Sequence, residues 1–298
     1  MRLFDVLLIK LKALVPIWTG DINRSSDAVK ETGLIGSIRW WYESLVRGMG
    51  GYACDPTDED RCGFDGEAYA RSGDPGDGLV DVCPACRFFG CTGWSSKFRL
   101  LATDAGDEMA NLKLALPNKE FHLKLVELKT IDDEERWLLG RTFYLIDKYG
   151  SMGGKTTLKP PKMPDYGLVS LLENVGSPKE TNRQAVAKWI GDMVQKSDSL
   201  KRRAQAIPRE YPNLRHFFFN PSSWIDREKM NRLVKIDRSG FLAGERGISK
   251  KVFSFKNQPG KRLWGYAKDE AMLSQVMKEL EAMGVRDTRK GGDVLNEL

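Results

Sequence analysis

The sequence predicts an α+β fold of the ferredoxin-like type. Three observations point there. Apolar runs with strand alternation and amphipathic stretches of helical period take turns in both halves of the chain. The 298 residues give room for two modest units, or one elaborated unit, around a sizeable core. Hydrophobic residues make up 41% and charged residues 30%, the balance of a soluble globular protein.

Residues 3–15 predict a strand, in which Val6 and Leu8 alternate with Leu7, Ile9 and Leu11. Asp5, Lys10 and Lys12 interrupt what would otherwise resemble a signal-peptide core, and no small-residue cleavage site follows. A cytoplasmic protein with no membrane partner is therefore expected. Pro16, Gly20 and Asn23 mark a loop. Residues 31–49 predict a helix: Leu34, Ile38, Trp41 and Leu45 recur at helical spacing, flanked by Ile35, Tyr42 and Val46. Arg39, Glu43 and Arg47 lie four apart on a polar stripe, and Gly48, Gly50 and Gly51 stop the helix.

Residues 52–82 show little periodicity. Eight acids against two arginines between Asp55 and Asp77 read as a solvated insertion loop without a core of its own. Strands follow at 98–103 and 120–129, then a helix at 134–148 running into a glycine-rich loop, 150–161. The second half predicts a strand at 168–172, a helix at 183–200, strands at 216–219, 233–236, 252–255 and 262–267, and a last helix at 270–283.

The net charge of +6 favours an anionic partner modestly, but its distribution says more. Residues 201–262 carry sixteen Lys or Arg against five acids. The acidic insertion hides that excess in the total, so a basic face is expected.

All five cysteines fall between Cys54 and Cys91 in a chain without an export signal. That clustering argues against a disulfide framework and for a local device. Cys83-Pro-Ala-Cys86 supplies two thiolates from one tight turn, as tetrahedral zinc requires. Cys54 and Cys62 are the candidates for the other two ligands, with Cys91 competing for the fourth place. Such a zinc would be structural. No organic cofactor is expected.

Catalytic constellations do not stand out. The loop GSMGGKT at 150–156 has Tyr149 where a P-loop needs glycine, and a helix, not a strand, precedes it. Its glycines still free backbone N–H groups to cradle phosphates, with Lys155 and Lys159 alongside. The only histidines, His122 and His216, sit in strand patterns. Arg39 and Trp40 fall off the apolar helical face, where a phosphate and a base would meet them. Lys97 and Arg99 share one face of a strand end.

Within residues 15–49, the stretch TGLIGSIRWWYESLVR, together with CPACRFFGCTGWSSKFR at 83–99, resembles the RAMP subunits of CRISPR RNA-guided effector complexes. The likeness is greatest to the first RAMP subunit of the type III-B (Cmr) complex. The glycine-rich loop stands where that family carries one. The resemblance implies two RRM-like units, divided at 1–149 and 150–298, with the cysteine-bearing insertion in the first. It implies a non-catalytic antiviral subunit that grips guide and target RNA near the 3′ end of the guide, beside other Cmr subunits. Carried over residue by residue, RNA contact is expected at Arg24, Arg39, Trp40, Lys97, Arg99, Gly153, Gly154 and Lys155, with Lys10 and Lys12 added from the first strand. Two other readings stay open: a metal-independent RAMP endoribonuclease that processes guide RNA through His122 or His216, and an assembly subunit whose aromatics contact protein neighbours.

Overall fold

The computed structural model describes residues 5–20, 28–106, 117–154, 165–174, 181–244, 249–256 and 261–298. Strand β1 (Val6–Ala13) alternates as its sequence demands: Leu7, Ile9, Leu11 and Ala13 are buried, and Leu8, Lys10 and Lys12 are partly exposed. Helix α1 (Glu31–Gly48) buries Leu34, Ile38, Trp41 and Leu45 along one stripe. An insertion with three short helices follows, α2 (Gly66–Ser72), α3 (Pro75–Gly78) and α4 (Pro84–Phe89). Strands β2 (Phe98–Asp104) and β3 (Glu120–Glu127), helix α5 (Asp133–Lys148) and strand β4 (Val169–Asn174) complete the first unit.

These strands form an antiparallel sheet of order β2-β3-β1-β4. The β-α-β-β-α-β order with the first strand in the centre is the ferredoxin-like arrangement that the alternation predicts. α1 and α5 pack on each other and cover one face. The cross-strand pairs Lys10 with His122, Leu8 with Lys124, and Arg99 with Val126 share the other face.

The second unit repeats the pattern. Helices α6 (Arg183–Lys196) and α7 (Asp198–Gln205) lead into β5 (Phe217–Asn220), α8 (Arg227–Val234), β6 (Val252–Phe255), β7 (Arg262–Tyr266), α9 (Glu270–Ala282), β8 (Arg289–Lys290) and α10 (Gly291–Asn296). Its antiparallel sheet has the order β6-β7-β5-β8. Every residue of β5, β6 and β7 is buried, because both faces are covered. Phe217 and Phe219 point into the core shared with the first unit, while Phe218 joins Leu233, Leu273 and Val276 on the other side. The run FFF is a strand buried on both faces, which a one-sided alternation test cannot resolve.

Four expectations are corrected. Residues 233–236 are not a strand: Asp226 caps Lys229 N at 2.8 Å and starts α8, whose Leu233 and Val234 are buried. The helix expected at 183–200 breaks at Ser197, whose hydroxyl accepts from Leu200 N at 2.9 Å and caps α7. The insertion is not a coreless loop: Tyr52, Ala53, Cys54, Cys62, Leu79 and Val82 join the main core. Two of its acids, Asp65 and Asp74, are N-caps of α2 and α3. The division at 149 falls inside the first unit, because that unit's edge strand is β4.

Candidate functional site

Three features gather the residues singled out by sequence. The first is the face of the β2-β3-β1-β4 sheet away from α1 and α5. Lys10, Lys12, His122 and Lys124 are half-exposed there and Arg99 is exposed. Lys10 reaches Glu173 on β4 at 2.6 Å. Lys97 is not part of this face. It precedes β2, is 9% exposed, and donates to Glu135 at 2.7 Å and Asp132 at 3.2 Å. Its ammonium thus holds the start of α5, where Asp132 and Glu135 form a capping box. Burial pushes the Glu135 carboxyl up to about 7, against the pull of Lys97.

The second feature is a cleft of about 340 Å³ between α1, the glycine-rich loop and the second sheet, lined by Ser37, Trp40, Trp41, Gly154, Phe253 and Trp264 among others. Trp40 is half-buried in a ring cluster, 5.1 Å from Trp41 and 5.7 Å from Tyr266 between centroids. The two glycine amides do not stand free. Gly153 N donates to Ser37 Oγ at 3.0 Å, and Gly154 N donates to the Trp18 carbonyl at 2.6 Å. Gly153 has φ +86°, and a Cβ there would lie 2.5 Å from the Trp18 oxygen. The loop therefore locks onto α1 and the chain after β1, and its glycines shape the cleft wall instead of offering a phosphate nest. Arg24 and Lys155 lie outside the described residues.

The third feature is the cysteine cluster. The sulfurs of Cys54, Cys62, Cys83 and Cys86, all buried, lie within 4.8 Å of one another. Cys91 is half-buried and outside the group, so Cys62 is the fourth member. Cys83 occupies the N-cap position of α4, and Cys86 follows one turn on. The Cys54–Cys86 sulfurs are 3.3 Å apart and the Cys54–Cys83 sulfurs 4.0 Å apart. These bracket the edge of about 3.8 Å in a tetrahedron with 2.3 Å zinc–sulfur bonds. The donor set fits zinc.

Arg39 belongs to this cluster and not to an exposed stripe. Its Nε donates to Glu43 at 2.7 Å, Nη1 to the Gly90 carbonyl at 3.0 Å, and Nη2 to Cys86 Sγ at 3.1 Å. Arg47 donates to the carbonyls of Ala53, Cys54 and Pro212. Burial pushes the Glu43 carboxyl between them up to about 7, despite both arginines. The polar stripe of α1 is thus the surface that receives the insertion. Arg203 of α7 approaches Cys62 Sγ at 3.9 Å. Sequence offered no signal for that contact, which joins residues 141 positions apart.

A family model described as the RAMP superfamily matches residues 10–158. Comparison with curated proteins finds no match. Among solved structures, the chain is similar to one from a cryo-EM structure of the type III-B Cmr-beta bound to cognate target RNA and AMPPnP, state 2, in the presence of ssDNA. The identity is 11%, the alignment covers 94% of this chain and 99% of that one, and the TM-score is 0.46.

Proposed function

The chain belongs to the RAMP superfamily, and we propose that it serves as a non-catalytic RNA-binding subunit of a type III-B (Cmr) CRISPR effector complex. The observation that carries this reading is the cationic sheet face of the first unit, away from α1 and α5. Lys10, Lys12, Arg99 and Lys124 project from three adjacent strands there. Cations spaced across a sheet suit a single-stranded sugar-phosphate chain, and gripping of this kind is electrostatic. The fit of four buried sulfurs to zinc supports a structural metal at Cys54, Cys62, Cys83 and Cys86. With four protein ligands it would leave no open position for chemistry, and would hold the insertion on α1.

The test is anisotropy of the purified chain with single-stranded RNA across a salt series, for wild type and for Lys12→Ala combined with Arg99→Ala. Binding by wild type, a weaker affinity in the double variant, and a salt slope reduced by roughly 0.7 per lost contact support the reading. Absence of RNA binding, or no change on removing both cations, counts against it. RNA cut on a denaturing gel after incubation would turn the assignment to an endoribonuclease.

A further inference from the structure

We infer that the cleft between the two units takes one unstacked nucleobase of single-stranded RNA. The inference rests on the RNA-binding reading but concerns a different surface from the sheet face. Its walls are aromatic: Trp40 and Trp41 come from α1, Phe253 and Trp264 from β6 and β7. At about 340 Å³ it is the size of a small-ligand site, too small for a duplex and ample for a base.

The polar chemistry of the walls narrows the occupant. Trp41 donates its indole N–H to the Ser151 carbonyl at 2.9 Å. Trp264 is 2% exposed, and its indole N–H finds no acceptor among the described residues. A buried donor without a partner costs free energy, so one retained in a cleft wall points to an acceptor that arrives with a ligand. The Trp264 ring lies parallel to Phe253 at 3.8 Å and to Phe217 at 6.3 Å between centroids, and Trp41 packs against it at 4.9 Å. Its indole edge carries the N–H. A nucleobase offers what this requires: a flat π-system to lie among aromatics, and in-plane carbonyl or ring-nitrogen acceptors. Ser37, on the rim, accepts from Gly153 N and keeps its own hydroxyl proton to donate. The glycine-rich loop thus contributes by shape, and its amides, already paired, serve the wall.

The experiment uses the intact chain and oligouridylates carrying one 4-thiouridine, placed at successive positions. Binding is measured by anisotropy, and photo-crosslinks are mapped by mass spectrometry. Two variants accompany wild type. Trp264→Phe keeps the ring and removes the N–H. Gly154→Glu puts a bulky anion at a wall position where a Cβ meets nothing closer than 3.5 Å, and its circular-dichroism spectrum and melting temperature are compared with wild type to confirm the fold. The expected result is a crosslink within the peptide of Trp40 and Trp41 or that of Phe253 and Trp264, for one position of the probe. Affinity should fall roughly fivefold in Trp264→Phe, the loss of one hydrogen bond, and further in Gly154→Glu. Wild-type binding with no crosslink in the cleft and full affinity in Gly154→Glu overturns the base site and leaves the RNA-binding reading standing. No binding by wild type overturns both.

Discussion

Arg39 Nη2 donates a hydrogen bond to the Cys86 sulfur at 3.1 Å, so a guanidinium from α1 closes one side of the cysteine cluster. Four thiolates around zinc carry a net charge of −2, and burying it calls for positive charge and N–H donors nearby. Arg39 supplies both. Burial opposes its charge, but the Cys86 sulfur and the Glu43 carboxylate more than offset that, and its pKa is raised.

Replacing Arg39 by Met should therefore weaken zinc retention about 10–100-fold, the usual cost of losing an outer partner of a metal ligand. Competition with a chromogenic chelator measures this. RNA affinity of the zinc-loaded variant should match wild type. Unchanged zinc retention with a drop in RNA affinity would instead return Arg39 to the RNA-contacting role that its sequence position suggested.

A second guanidinium joins the two units. Arg262, the first residue of β7, is 7% exposed and donates to the carbonyls of Ile146 at 3.1 Å, Asp147 at 2.7 Å and Gly150 at 2.6 Å. The first two are carbonyls in the last turn of α5, and Gly150 follows the helix end. Burial lowers its pKa to about 10, leaving it charged at neutral pH. Arg262→Met strands three buried acceptors and should cost about 3 kcal/mol in urea denaturation. Arg262→Lys, which restores the charge but not the fork, should recover only part of that. A loss below about 1 kcal/mol would mean that the helix end finds other donors.

The two raised carboxyls set a pH dependence. Glu43 and Glu135 are both pushed up to about 7 by burial, from an ordinary value near 4.5. The folded chain then binds these protons more tightly than the unfolded chain. Their contribution to stability is full below about pH 4.5 and is lost as pH rises through 7. His216, whose pKa is lowered by burial, works in the opposite direction below about pH 6.5, so the comparison must be between variants. Glu135→Gln cannot ionise, and its melting temperature relative to wild type should rise from pH 5 to pH 8 by the equivalent of about 2 kcal/mol. A relative fall would show that the Lys97 pair outweighs desolvation and holds Glu135 ionised in the fold.

Local signals were legible where a single element decides the outcome. The spacing of Leu34, Ile38, Trp41 and Leu45 gives both the extent and the buried side of α1, since helical period is a property of the segment alone. The alternation of strands and helices gives the fold class, whereas the two-unit reading leans on the family resemblance. The cysteine set is readable too, because ligand spacing reflects the geometry of the metal. What failed is whatever depends on a distant segment. Arg39, Glu43 and Arg47 read as a solvated stripe until residues 52–54 and 90 lie across them. Lys97 reads as a surface cation until α5 brings Glu135 within 2.7 Å. Gly153 and Gly154 read as free amides until Ser37 and Trp18 take their hydrogen atoms. The strand misread at 233–236 had a local remedy, since Met230, Leu233 and Val234 follow the Asp226 cap at helical spacing.

Whether a metal at the four cysteines orders the insertion can be read at a single peptide bond. Arg87 lies on α4, one residue beyond Cys86, and is held by the carbonyls of Val82 at 2.9 Å and Leu79 at 2.6 Å. Trypsin can cut after it only when α4 unwinds, because proteolysis needs an extended, accessible segment. Helices as short as α4 do not persist alone in water, so its order depends on what holds Cys83 and Cys86. With zinc bound, Arg61 and Arg71, both exposed, should be the early cuts. Arg61 lies outside any helix, and α2, which carries Arg71, buries no residue and unwinds readily. Arg87, by contrast, should stay protected. Chelation should release the four sulfurs, expose Tyr52, Leu79 and Val82 along with α4, and bring cleavage after Arg87 to a rate comparable with that after Arg71. Melting of the chelated chain should be broader and earlier, since the insertion contributes to the main core. If Arg87 stays protected in chelator while the metal is shown by elemental analysis to be gone, packing alone holds the loop, and zinc is not what orders it.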